Sequence, residues 1–217
     1  LSITALEDTS GRTTGVTVGM PGHAGSTGRV YVYGVTAATG ALTTPSAIDP
    51  GGLPAATNFG FALASGDLNR DGVEDLVVGA PGSATEMTGR AQVWYRTAPT
   101  AFAVGPTLLV SDTTSLSFGA ALAIGDYDGN GTNDIAVGGP QLTVGGAANA
   151  GRVAMFPEGK PTGTQPLEFQ HRTPEAGALF GRSLETLPRS DRPDLLAVGV
   201  PGDDVGGMED AGTVLLY

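Results

Sequence analysis

The chain has 217 residues, a net charge of −11 from 22 acidic against 11 basic side chains, 35 glycines, 15 prolines and no cysteine. That length accommodates one domain with a sizeable core, and the absence of cysteine excludes disulfides, thiolate metal sites and cysteine nucleophiles. The acidic balance makes nucleic acid and anionic membrane poor partners, and so much glycine and proline suits short strands joined by tight turns rather than helices.

Neither a signal peptide nor an apolar run of membrane-spanning length is visible. The pattern is already under way at Leu1, which leaves room for a leader upstream. Lys160 is the lone lysine, a usage that reads as a GC-rich bacterial source. In chain order, the first element is Val16-Thr17-Val18-Gly19-Met20-Pro21, an apolar run ended by glycine and proline. A glycine-rich loop leads to the alternating run Gly28-Arg29-Val30-Tyr31-Val32-Tyr33.

Phe59-Gly60 then opens a fuller unit. Phe61-Ala62-Leu63-Ala64 reads as a strand, followed by an acidic loop, by Leu76-Val77-Val78-Gly79-Ala80-Pro81 and by Gly89-Arg90-Ala91-Gln92-Val93-Trp94-Tyr95. A looser fourth strand is expected at Thr107-Leu108-Leu109-Val110. The unit recurs from Phe118-Gly119, with Ile135-Ala136-Val137-Gly138-Gly139-Pro140 and Gly151-Arg152-Val153-Ala154-Met155-Phe156. It recurs again from Phe180-Gly181, with Leu196-Ala197-Val198-Gly199-Val200-Pro201 and Gly212-Thr213-Val214-Leu215-Leu216-Tyr217. The repeats run approximately 1–58, 59–117, 118–179 and 180–217.

Four short strands per repeat, without helical period, are the unit of a β-propeller blade. The second strand is apolar at successive positions, as expected where neighbours cover both faces of a sheet. A two-sheet sandwich is the alternative, but it does not require the repeat. The fold class expected is therefore all-β, a propeller of four-stranded antiparallel blades.

The Phe-Gly and Gly-Ala-Pro pairs flanking each acidic loop resemble the FG-GAP repeats of integrin α-subunit head domains and their bacterial relatives, over essentially the whole chain. The resemblance implies a propeller, commonly seven-bladed, with calcium in the loop joining the first two strands of a blade. It also implies an extracellular or cell-surface setting.

Two loops carry oxygen-bearing side chains at odd positions: Asp67-Leu68-Asn69-Arg70-Asp71-Gly72-Val73-Glu74-Asp75 and Asp126-Tyr127-Asp128-Gly129-Asn130-Gly131-Thr132-Asn133-Asp134. Ca²⁺ takes six to eight oxygens at about 2.3–2.6 Å, and a tight loop can supply them from positions one, three, five and nine with the carbonyl of seven. The expected ligands are Asp67, Asn69, Asp71, Asp75 and the Val73 carbonyl, then Asp126, Asp128, Asn130, Asp134 and the Thr132 carbonyl, for two ions. Position twelve is Val78 or Val137 where an EF-hand needs glutamate. Mg²⁺ fits less well because it keeps its waters. The plainer alternative is that Asp, Asn and Gly simply form turns, which two equivalent positions argue against. Glu7 to Arg12 lacks the odd-position acids, and the loop ending at Asp191 and Asp194 is shortened and carries two prolines. No calcium is expected at either.

Histidines 23 and 171 occupy different repeat positions, and no Gly-x-Ser-x-Gly, His-Glu-x-x-His or phosphate-loop pattern occurs. No enzymatic activity is expected. The loops opposite the calcium face supply the candidate partner-binding residues His23, Met87, Asp112, Asn149, Asp203, Asp204, Glu209 and Asp210. Asp203, Asp204, Glu209 and Asp210 share one loop, read as solvated in preference to a glycosidase pair. Asp112 lies in Ser111-Asp112-Thr113-Thr114-Ser115, which has the residue types of a von Willebrand A metal-adhesion site but not its spacing.

The expected function is a calcium-stabilised extracellular adhesion module binding a protein partner. The alternatives are a lectin-type propeller binding glycans, which wants exposed aromatics, and a non-catalytic accessory domain of a secreted enzyme. The fourth repeat ends at its third strand. The four repeats are expected to form part of a larger ring, completed by the same chain, a second chain or a symmetric copy.

Overall fold

The computed structural model describes residues 2–50, 57–82, 89–110, 117–157, 166–190 and 192–217. Met87, Asp112 and Asp191 lie outside them. The described strands form four antiparallel meanders. The first is β1 (Ser2–Glu7), β2 (Thr13–Met20), β3 (Arg29–Gly34) and β4 (Ser46–Ile48). The second is β5 (Leu63–Gly66), β6 (Asp75–Ala80), β7 (Arg90–Ala98) and β8 (Ala101–Leu108). The third is β9 (Ala121–Gly125), β10 (Asp134–Gly139), β11 (Arg152–Phe156) and β12 (Leu167–Phe169), and the fourth is β13 (Ser183–Leu187), β14 (Leu195–Val200) and β15 (Thr213–Leu216).

These are four propeller blades. Their first strands pack in series, β1 on β5, β5 on β9 and β9 on β13. The second strands lie where the apolar runs place them. The fourth strand of the second blade does not: β8 ends at Leu108, so Leu109 and Val110 fall outside it. The chain reverses at once at Pro99-Thr100, pairing Ala98 with Ala101 and pulling the strand toward the N-terminus.

Each core lies between two blades. Alternate residues of β6 face opposite ways: Leu76, Val78 and Ala80 join Leu6, Val30 and Val32 of the first blade, while Val77 joins Ile135 and Val137 of the third. Ala136 of β10 in turn joins Leu196, Val198 and Val200. All six residues of β6 and of β10 are consequently buried. β14 alternates between buried and half-exposed.

Phe59, Phe118 and Phe180 are each buried, one per core. Full burial of such a side chain stabilises by roughly 1.5–3 kcal/mol. The glycine after each has positive φ, 88°, 93° and 82°, a region open to glycine at little cost. Its N–H donates to Gly79, Gly138 or Gly199 of its own second strand at 3.0–3.1 Å. Its carbonyl presses on the preceding blade. A Cβ at Gly19 would sit 2.1 Å from the Gly60 oxygen, one at Gly79 2.0 Å from that of Gly119, and one at Gly138 2.3 Å from that of Gly181. The glycine of each second strand is thus the seat for the next Phe-Gly.

Candidate metal centre and the opposite face

Both acidic loops join the first and second strands of a blade, β5 to β6 and β9 to β10. In the second, Asn130 N–H donates to Asp128 at 3.0 Å, Gly131 N–H to Asp126 at 2.9 Å, and Thr132 N–H to the Asn130 side chain at 2.7 Å. These bonds curl the loop so that its side-chain oxygens face inward. Carboxylate oxygens of Asp126, Asp128 and Asp134 lie within 4.8 Å of one another. Asp126 Oδ1 is buried with no hydrogen-bond partner, although a buried carboxylate oxygen wants a donor or a cation. The residues present therefore fit a hard divalent cation.

The first loop has the same backbone. Asp67 accepts the N–H groups of Asp71 and Gly72 at 3.2 and 2.8 Å, Asn69 accepts that of Asp71 at 2.9 Å, and Asp71 accepts that of Val73 at 2.9 Å. Asp75 is fully buried and accepts from Leu68 N–H at 3.1 Å and Arg96 N–H at 2.8 Å. Burial raises its carboxyl to about 6, with the Asp71 and Asp67 charges adding and those two N–H bonds opposing. Burial likewise raises Glu74, against the Glu7 N–H that it accepts at 2.6 Å. A cation among these carboxylates offsets that cost directly.

The loops are chained around this face. Glu74 reaches the N–H of Glu7 in the first blade, and Asn133 donates to the Asp67 carbonyl at 3.0 Å. Asp126 and Asp194 exchange bonds, N–H to carbonyl at 2.9 Å and N–H to carboxylate at 3.0 Å. Asp194 also accepts Arg189 N–H at 3.0 Å. In the first blade, Asp8 holds the Ser10 hydroxyl and N–H and the Arg12 N–H, bonds that keep its carboxyl below the usual range.

On the opposite face, two loops share one design. Val144 and Ala147 exchange N–H to carbonyl bonds across Gly145-Gly146, and Val205 and Met208 do so across Gly206-Gly207. The Val144 side chain is buried, while Met208 is 64% exposed and Val205 40%. Sequence reasoning named neither Val205 nor Met208. The substitution of alanine by methionine at one tip of a shared Val-Gly-Gly-x turn was the available signal.

Asp204, Glu209 and Asp210 are exposed as expected. Asp203 is buried instead, with His171 Nε2 3.7 Å away. It is not part of a solvated cluster, because the N–H of Gly212 ties its carbonyl and fixes the side chain beside that imidazole. Asn149 and Asp210 are exposed and hold equivalent positive-φ positions, 55° and 50°. His23 is half-exposed in the turn after β2, with its carbonyl accepting Gly28 N–H at 3.0 Å. Trp94 is half-buried, its ring set edge-on to Phe59 with centroids 6.2 Å apart. Among the described residues, no helix is long and apolar enough to cross a membrane.

A family model described as FG-GAP repeat matches residues 59–94 and 118–155. The chain is 37% identical over 167 residues to integrin alpha-4 of Xenopus laevis, covering 76% of the chain and 15% of that protein. It is 32% identical over 166 residues to integrin alpha-5 of Xenopus laevis, covering 69% and 15%. Against integrin alpha-3 of Cricetulus griseus it is 43% identical over 86 residues, covering 38% and 8%. The chain spans less than a sixth of the length of these relatives.

Proposed function

We propose that this chain, an FG-GAP repeat β-propeller similar to integrin α subunits, is a calcium-stabilised binding module of extracellular or cell-surface proteins that recognises a protein partner and has no catalytic role. The observation that carries the reading is the division of the blades into two unlike faces. One carries both acidic loops and, in the second, gathers the carboxylates of Asp126, Asp128 and Asp134 around an orphaned Asp126 oxygen. The other presents exposed loop tips, including Met208, with Asp204, Glu209 and Asp210 beside it. Rigid blades that fix mobile-chemistry loops are how propeller-like scaffolds recognise partners.

The metal ligands in this reading are Asp67, Asn69, Asp71, Asp75 and the Val73 carbonyl, and Asp126, Asp128, Asn130, Asp134 and the Thr132 carbonyl. Each set holds one Ca²⁺. The partner face in this reading comprises His23, Asn149, Asp204, Glu209 and Asp210, together with the exposed Val205 and Met208, with Met87 and Asp112 on segments outside the described residues; Asp203, buried beside His171, is left out of it. A protein is favoured over a glycan because Trp94 is half-buried against Phe59 and offers no free stacking platform.

The four repeats are read as units of a larger ring. Gly199 occupies the position of Gly19, Gly79 and Gly138, but the nearest atoms a Cβ there would meet belong to Ser183 of its own blade. Ser183 pairs with Gly199 as Ser2 pairs with Gly19, and the Ser2 hydroxyl donates to the seated Gly60 carbonyl at 2.8 Å. The fourth blade thus carries the parts of a seat for a further Phe-Gly, and Val214 and Leu216 beside it are 65% and 57% exposed.

The functional reading is tested by presenting the calcium-loaded chain to extracellular protein libraries and to a glycan array. A protein ligand whose binding is lost in Met208→Asp, with calcium binding retained, supports it. Glycan binding without a protein ligand overturns it.

A further inference from the structure

Position four of the two acidic loops differs in a way that the local backbone does not explain. The position needs left-handed backbone. Gly129 supplies it in the second loop at φ 77°, whereas the first loop puts Arg70 there at φ 63°. An unbranched side chain with a Cβ is disfavoured in that region relative to glycine, so glycine would make the same turn at lower cost. What the arginine adds lies in the next blade. Its guanidinium Nη2 donates to the Asn130 carbonyl at 3.2 Å and to the Thr132 hydroxyl. Both residues belong to the second loop's expected ligand set. The return contact comes from Asn133, whose amide donates to the carbonyl of Asp67, position one of the first loop.

We infer that Arg70 is a positioning residue that couples the two ion loops, so that an ion in the first loop strengthens binding in the second. The inference rests on reading these loops as calcium sites. Asn69 and Asp71, the neighbours of Arg70, are ligands of the first ion, so that ion fixes the backbone from which the guanidinium reaches out. The fixed guanidinium holds Asn130 and Thr132 in the curled arrangement that aims their oxygens inward. Thermodynamic linkage makes the effect reciprocal, with the second ion strengthening the first by the same factor. A guanidinium is suited to the task because it spreads several donors over a planar group and holds two acceptors at once. Asn133 gives a second, shorter strut between the same loops, so the coupling has a path in each direction.

The test is a cycle of four chains, each titrated with calcium by calorimetry and with terbium, whose emission at the second loop is sensitised by the adjacent Tyr127 ring. The chains are wild type, Asp67→Asn, Arg70→Gly and the double variant. Asp67→Asn weakens the first site while keeping an acceptor for the loop N–H groups, and Arg70→Gly keeps the turn, as Gly129 shows. Loss of the first site should weaken the second about five- to tenfold when Arg70 is present, at the low end of the usual range for coupled sites, and less than about twofold when it is glycine. Arg70→Lys should restore only part of the coupling. Equal weakening in both backgrounds, as a through-space charge effect would give, overturns the coupling, as does no weakening in either. Absence of calcium binding in the wild type overturns the calcium reading itself, and the coupling with it.

Discussion

The two inner blades and the two outer blades are cut from one repeat, yet they solve different problems. β6 and β10 bury every residue, feeding alternate side chains into the cores on either side. β14 carries an equally apolar run and buries only every second residue, and β2, whose run is interrupted by Thr17, buries Gly15, Thr17 and Gly19 while Val16 and Val18 stay half-exposed. For β14 the difference lies in the neighbours and not in the strand. A repeat of this kind writes a demand for two flanking blades into each copy, and the structure meets that demand in full only in the middle. Stability is correspondingly a property of interfaces between repeats, as in other quasi-one-dimensional arrays.

The contrast should be largest for the seated phenylalanines. Phe118→Ala empties a core position shared by the second and third blades and should cost about 3–5 kcal/mol. Leu216→Ala, on a half-covered blade, should cost less than about 1 kcal/mol. Urea unfolding of both variants checks this, and comparable losses would erase the distinction between inner and outer blades. The seats come next. Gly79→Ala drives a Cβ onto the Gly119 backbone and should cost about 1–3 kcal/mol. Gly199→Ala meets a serine side chain that can rotate away and should be nearly neutral by the same assay.

Calcium should act more modestly, and only on the blades that carry complete loops. With Kd of roughly 10⁻⁴–10⁻³ M, millimolar calcium should add about 0.5–1.5 kcal/mol per site. Excess chelator should therefore lower Tm by a few degrees without unfolding the chain. Asp67→Ala and Asp126→Ala should each remove at least half of that response, the excess over half measuring the coupling between the two sites, while Asp194→Ala should leave it intact. An unchanged melting curve under chelation would count against both sites.

The smallest effect concerns pH. The buried Asp75 carboxyl stands at about 6 in the folded chain against an ordinary 3.8. The folded state thus holds this proton more tightly than the unfolded one. In metal-free protein its contribution is complete below the ordinary value and is lost as pH rises through about 6. Calcium, which requires the carboxylate, should bind more tightly over the same rise. Titrations at pH values on either side of 6 with Asp75→Asn as the control measure it, and an affinity that ignores pH would remove Asp75 from the ligand set.

Much of this was legible before any coordinates. The second strands announce themselves because β-rich apolar runs before Gly-x-Pro demand burial on two faces, and the acidic loops because odd-position oxygens around a glycine have few other uses. The contacts between blades were not legible. Glu74 and Asn133 occupy the same loop position and both reach the preceding loop, and Arg70 reaches the following one. Which atoms meet there depends on the angle between neighbouring sheets, a quantity that no local spacing encodes. Asp203 misled for a related reason. Its neighbours in sequence are exposed acids, but its neighbour in space is His171, 3.7 Å away.

The Phe-Gly seat also imposes a direction in time. Phe59 completes a core whose other walls include Leu6, Val30 and Val32, so the first blade is finished by a residue that leaves the ribosome after all four of its strands. The same lag separates the second blade from Phe118 and the third from Phe180. During synthesis each blade waits, partly uncovered, for the opening dipeptide of the next, and the array closes from the N-terminus like a zip whose slider is always one tooth ahead. Slow codons placed just before a Phe-Gly would prolong that wait and the exposure that goes with it.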